Sequence, residues 1–308
     1  MVLGRPPEQG AQFEAMMAQI DAKLANEGVT IPSRPTMAVR EISMKYGISI
    51  PIGGDPERMP AYLRENATLD KAINQWYIAN YGDKLKINYC PGQIVVLLDG
   101  DLYVLRVPIT FGMVRFVLKR EWLDDSGFSR GPAICNITQL LDKMTPARAI
   151  RLSDSAMESI GKAFETVLPA AYTLEGTKHK LMSIARGDVD VAVNCLMVRE
   201  GRYGESKWAS LQAAEKVLKA AINLAGVEYK YKHILHDLCQ ILTDIGLAFD
   251  ARAQVAAIQC RASIRYGDEP CDRDEALAAH QASLELVNIL RKAGAKFSLG
   301  HHSLKSSM

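Results

Sequence analysis

Trp208, Leu211, Glu215, Leu218, Ile222 and Ala225 recur at intervals of three, four, three, four and three residues. That spacing lays all six along one face of an α-helix, apolar except at Glu215. Ser206 is placed to cap the start of this helix and Gly226 to end it. A second helical period follows over about 230–244, with Ile234, Leu238, Ile241 and Ile245 on one side. A third, over about 248–264, is rich in alanine and permits close approach of its neighbours. Asp272 can cap a fourth, which carries Ala276, Ala279, Ser283, Leu286, Leu290 and Ala293. Short loops between helices of this length favour antiparallel neighbours, so the expected arrangement is a four-helix up-and-down bundle.

Upstream the period changes twice. Residues 8–26 have Phe13, Met16, Met17, Ile20 and Leu24 at helical spacing, a Pro-containing turn follows at 31–35, and 67–80 reads as another helix. Residues 86–89, 93–98, 102–107 and 113–118 then alternate or run apolar, with Asp99-Gly100 as a hairpin signal between two of them and Gly112 as a turn or bulge. They predict a small antiparallel meander. From about 134 the helical period returns, with Pro146 and Pro169 read as breakers between segments. The fold class is therefore α+β: an N-terminal region over 1–200, a helical bundle over 203–296, and a tail over 297–308.

Charge and composition exclude several functions. The 37 basic and 35 acidic residues give a net charge of +2, too balanced for a polyanion-binding tail. The longest apolar run, Ile94 to Leu98, is far shorter than the roughly 20 residues of a membrane span. The N-terminus lacks the unbroken apolar core of a secretory signal, and the six cysteines are scattered without a CxxC or CxxH pair. Reduced thiols, a cytoplasmic location, no structural metal and no cofactor are expected.

The run Trp208-Ala-Ser-Leu-Gln-Ala-Ala-Glu-Lys-Val-Leu-Lys-Ala220, then Gly226 and His236-Asp-Leu238, resembles the first two helices of HEPN domains. Arg265-Tyr266, Glu275-Ala276 and Ala282 resemble the closing segment of that family. The resemblance covers about 203–295, and residues 1–200 resemble nothing recognised. It implies a dimeric helical module that handles nucleotides or RNA, in defence, stress or RNA-processing systems. A nuclease branch of the family cleaves RNA without metal, using an Arg and a His a few residues later. The His takes a proton from a ribose hydroxyl while the Arg holds the phosphate.

Arg265 stands at the expected Arg position, but Pro270, Cys271 and Asp272 follow where the His is expected. The one literal match is Arg273 with His280, inside the fourth helix, where His280 aligns with the apolar Leu277, Leu284 and Val287. The expected function is thus a non-catalytic nucleotide- or RNA-binding protein that dimerises through its fourth helix and presents Lys216, Lys219, His236 and Arg265. A metal-independent endoribonuclease using Arg273 and His280 is the alternative, and an oligomerisation adaptor for a protein partner is a third. Glu215, alone on its apolar face, needs Lys219 four residues on as a partner.

Weaker signals read as structural. Gly53-Gly54 lacks the Lys-Ser/Thr of a phosphate loop, Asp99-Gly-Asp101 is a turn, and Asp124-Asp125 and Asp188-Val-Asp190 are loop or cap residues. His179, between two lysines, marks an exposed basic loop. Tyr77, Tyr81, Tyr89 and Tyr103 beside Lys84, Lys86 and Arg106 read as core or cross-strand aromatics, with a stacking surface as the alternative.

Overall fold

The computed structural model describes residues 5–52, 59–85, 90–110, 113–123, 133–228 and 234–299. The chain divides into two compact units, Met1–Asn88 and Tyr89–Met308.

The first unit contains three helices: α1 (Gly10–Asn26), α2 (Arg34–Tyr46) and α3 (Ala61–Tyr81). Their apolar faces meet in a core that includes Met17, Leu24, Ile42, Leu69, Ile73 and Tyr77. A polar knot ties the three together. Asp21 of α1 accepts from Arg34 Nη1 at 3.2 Å and from the Tyr81 hydroxyl at 2.5 Å, and Arg34 also donates to Tyr81 Oη at 3.1 Å. The prolines at 32 and 35 predict only a turn over 31–35. In the structure a short 3-10 turn, Ile31–Ser33, leads straight into α2, with Pro35 in its first turn. Proline there gives up an N–H that has no helical partner anyway, so it starts a helix instead of breaking one.

The second unit opens with the predicted hairpin. Strands β1 (Gln93–Leu98) and β2 (Asp101–Arg106) pair antiparallel from Gln93↔Arg106 to Leu98↔Asp101. Asp99 (φ 49°) and Gly100 (φ 96°) both adopt the left-handed conformation that a two-residue hairpin loop requires. The meander does not continue as expected. β3 (Val114–Val117) leaves the hairpin and pairs parallel with β4 (Ala133–Asn136) in a separate two-stranded sheet. Asn136 holds that junction: its side chain donates to Lys119 O and Glu121 O and accepts from Lys119 N. The strand expected at 86–89, and Gly112, lie outside the described residues.

A short helix α4 (Pro146–Ala149) precedes α5 (Asp154–Gly176), α6 (Lys180–Met197), α7 (Tyr203–Leu224), α8 (Leu235–Asp244), α9 (Arg252–Ile258) and α10 (Arg273–Lys292). Pro169 lies inside α5 and does not end it. The interruption costs about 3 kcal/mol. Burial of Phe164, Val167, Leu168, Ala171 and Leu174 around it outweighs that cost, at about 1.5–3 kcal/mol for each large apolar side chain. His179, read as part of a basic loop, is the N-cap of α6, its Nδ1 accepting from Leu181 N at 3.2 Å. Asp188 and Asp190 lie within α6 and not in a loop.

The C-terminal helices do not stand apart from what precedes them. α7 packs along α6, and α10 packs against α7, α5, α9, α6 and β1. The compact unit accordingly begins at Tyr89, far before 203. The long third helix expected at 248–264 is instead α9 followed by a 3-10 turn, Ala262–Tyr266.

At Val95 the antiparallel ladder points the N–H and C=O of β1 away from β2. α10 satisfies both. The Val95 N–H donates to His280 Nε2 at 3.1 Å, and Gln281 Nε2 donates to Val95 O at 3.0 Å. Two successive side chains of a helix thereby cover an open strand edge.

Candidate functional site

The face of α7 that most constrains the fold also lines a cavity. Trp208, Leu211, Gln212 and Glu215 form one wall; Ile234 at the start of α8, and Gln259, Cys260 and Ala262 after α9, form the other. The space between them, open to solvent on one side, is about 500 Å³, within the range of small-molecule sites. Gln259 fixes the far wall, because its Oε1 accepts from the Leu235 N–H at 3.1 Å and so holds the start of α8. Burial pushes the Cys260 thiol up to about 11, so it remains a neutral S–H at physiological pH.

Arg265 stands beside this cavity. Its guanidinium carbon is 5.3 Å from the Trp208 ring centroid and 4.4 Å from that of Tyr266, giving an aromatic–guanidinium–aromatic cluster. The 3-10 turn that carries Arg265 and Tyr266 is seated on Gly204 at the start of α7. A Cβ there would fall 2.2 Å from the Ile264 carbonyl oxygen, so the two backbones meet only because residue 204 has no side chain. Arg265 also hydrogen-bonds the Tyr266 hydroxyl, and both residues are exposed.

The structure distributes the other expected residues differently. Lys219 pairs with Glu215 at 2.6 Å, as the spacing predicted, with both side chains nearly buried. Lys216 pairs with Asp188 of α6 at 2.7 Å and donates to Gln212 Oε1 at 3.3 Å. Burial raises the Asp188 carboxyl, and the Lys216 contact opposes that. The Lys216 pair ties α7 to α6, and the Lys219 pair lies within α7 beside the cavity wall. His236 is exposed on α8, 4.0 Å from Asp237, and does not line the cavity. Gly53-Gly54, Asp124-Asp125, Lys86 and Tyr89 lie outside the described residues.

Arg273 and His280 form no shared surface. Arg273, the first residue of α10, reaches Asp274 at 3.0 Å and the Gly100 carbonyl in the hairpin turn at 3.2 Å. His280 is fully buried against β1, and burial pushes its imidazole down to about 4. A base whose Nε2 already accepts from Val95 N cannot reach a ribose hydroxyl from there. Of the tyrosines, Tyr77 and Tyr81 belong to the first unit, Tyr77 in its core, and Tyr103 lies on β2 of the second. Among the described residues no group of three His, Cys, Asp or Glu side chains could hold a metal ion, and no helix is long and apolar enough to cross a membrane.

Sequence reading found Arg265 but not the aromatic plate under it, nor Gln212 and Gln259. Trp208 was legible only as a core residue of its helix. Its second role depends on the return of the chain at 259–266, which no local pattern announces.

The HEPN domain family model matches residues 179–293, from the cap of α6 to the end of α10, in the C-terminal portion of the chain. That family is linked to nucleotide and RNA transactions and includes nucleases. No curated protein and no solved structure matches the chain.

Proposed function

We propose, from the premise that residues 179–293 form a HEPN domain, that this region binds a nucleotide or an unpaired ribonucleotide without cleaving it. The observation that carries the reading is the Trp208–Arg265–Tyr266 cluster at the edge of the 500 Å³ cavity. A base stacks on the Trp208 ring inside the cavity, and the N–H edge of Arg265 meets the phosphate. Stacking of this kind is worth about 1–3 kcal/mol per base and accepts any base. Guanidinium suits the phosphate because its donors are planar and permanently charged.

The non-catalytic reading is supported by where His280 is held, since the Arg273–His280 pair supplies no exposed base. Self-association, expected through the fourth helix, needs a different face, because α10 is buried among α5, α6, α7, α9 and β1. The family supports a place in a defence or stress system.

The test is calorimetric titration of the full chain with nucleoside monophosphates and a single-stranded oligoribonucleotide, followed by recovery of the RNA in EDTA. Binding that falls at least tenfold in both Trp208→Leu and Arg265→Ala, with the RNA intact, is expected. Absence of binding at millimolar concentration overturns the reading.

A further inference from the structure

Away from the Trp208 cavity, three helices of the second unit end in the same way and around one space. α7, α8 and α10 each close on a glycine in the left-handed conformation, Gly226 (φ 83°), Gly246 (φ 93°) and Gly294 (φ 96°). The residue after each glycine returns its N–H to the helix just completed: Val227 to Ile222 O at 3.3 Å, Leu247 to Leu242 O at 3.0 Å and Ala295 to Leu290 O at 3.0 Å. A reverse turn of this kind engages the last carbonyls of a helix and brings the following side chain back to its end. Val227, Leu247 and Ala295 accordingly line a single cavity of about 310 Å³, open to solvent on one side. Ala221 and Leu242 line it and are buried, whereas Ile245 and Lys296 are exposed. Nine of its ten lining residues are apolar or glycine, and the tenth is Lys296.

We infer that this cavity binds a free monocarboxylate with a short apolar chain, the chain lying against Val227, Leu242 and Leu247 and the carboxylate meeting the Lys296 ammonium. The space is about twice the roughly 150 Å³ that admits benzene, so it takes a flexible chain as readily as a ring. Alanine and glycine at 221, 225, 294 and 295 leave room that larger side chains would fill. The head group is decided by what the mouth offers. An ammonium would seek backbone acceptors, and the carbonyls of Ile222, Leu242 and Leu290 are already engaged by their own turns. Lys296 meets no acidic group among the described residues, in contrast to Lys216 and Lys219, which are both paired. A carboxylate complements such a cation. The exposed ion pair sets the choice of head group and adds little affinity, most of which comes from burying the chain. No residue is shared with the Trp208 cavity, so the two sites stand or fall separately.

The experiment is calorimetric titration of the full chain with butanoate, hexanoate, octanoate and decanoate, with octan-1-ol and octylamine as head-group controls. Affinity is expected to rise about fourfold for each added CH₂ while the chain fills the cavity, and then to level off. Affinity that ignores chain length overturns the site, as does failure of every ligand to bind at its solubility limit. Ala225→Leu places a larger side chain in the space and is expected to weaken octanoate at least tenfold without lowering the thermal melt; unchanged binding overturns the inference. Lys296→Met, on the exposed rim, is expected to weaken octanoate about threefold and octan-1-ol not at all. An equal effect on both, or octylamine binding the wild-type chain as tightly as octanoate, overturns the head-group assignment. Two further measurements read the other occupants. A dimer in sedimentation that octanoate dissociates assigns the cavity to a second copy of the chain and overturns the inference. Phosphatidylserine vesicles that pellet the wild-type protein but not Ala225→Leu assign it to a membrane lipid and do the same.

Discussion

Replacing His280 with glutamine should remove a pH dependence of stability without removing the contact that His280 makes. The imidazole is fully buried, its Nε2 accepts from the Val95 N–H at 3.1 Å, and burial pushes it from 6.5 down to about 4. The folded state therefore excludes a proton that the unfolded chain takes up near pH 6.5. Stability from this residue is fully present above pH 6.5 and is lost progressively as the pH falls toward 4. Each pH unit in that window is worth about 1.4 kcal/mol, so the loss between pH 7 and 4.5 comes to roughly 2–3 kcal/mol. A glutamine carbonyl can accept from the same N–H but does not titrate. The assay is urea denaturation of both proteins at pH 7 and at pH 4.5. Carboxylates titrate in both, so the difference between the two pH slopes isolates residue 280. The wild-type chain should lose about 2–3 kcal/mol more than His280→Gln. Identical slopes would refute the claim that a neutral imidazole holds the strand edge. His280→Ala adds a separate expectation at pH 7, a loss of about 1–3 kcal/mol for the orphaned N–H together with a cavity cost.

Gly204→Ala drives a Cβ to within 2.2 Å of the Ile264 oxygen; it should cost about 1–3 kcal/mol in a thermal melt and weaken nucleotide binding by displacing Arg265. Lys219→Met breaks the nearly buried pair with Glu215 and should lose about 3–5 kcal/mol, much of it recovered in the Glu215→Leu/Lys219→Met double variant, as urea titration would show. Ser153→Ala removes both the α5 cap, where Oγ accepts from Ala156 N at 3.1 Å, and the bond to Asp99; chemical denaturation should report about 1–2 kcal/mol.

What the sequence revealed follows the range of the interaction involved. The Asp99-Gly100 hairpin and the α7 face are local patterns, and both are found where the residues predict. Glu215–Lys219 was legible because its partners sit one helical turn apart. Pro35 and Pro169 misled for a related reason: proline restricts the backbone, but whether it starts, kinks or ends a helix depends on what surrounds it. α2 begins on one proline, and α5 runs through the other on the strength of its buried face. Lys216 read as a surface cation because its partner, Asp188, is on another helix. His280 was rightly placed on an apolar stripe, yet its bond to Val95 spans 185 residues of sequence. The candidate site suffers most from this limit. Arg265 stood out by type and position, whereas the rings that flank it become a site only once Gly204 lets the distant turn settle against α7.

The cover that α10 lays over β1 also imposes an order on biosynthesis. The hairpin is complete by Arg106, but the side chains that quench its outer edge are His280 and Gln281. At about 5–20 residues per second, a translating ribosome takes roughly 10–40 s to span that interval. Throughout it the Val95 amide and carbonyl on the outer edge of β1 lack the partners that α10 later brings, and an extended chain nearby could pair with them.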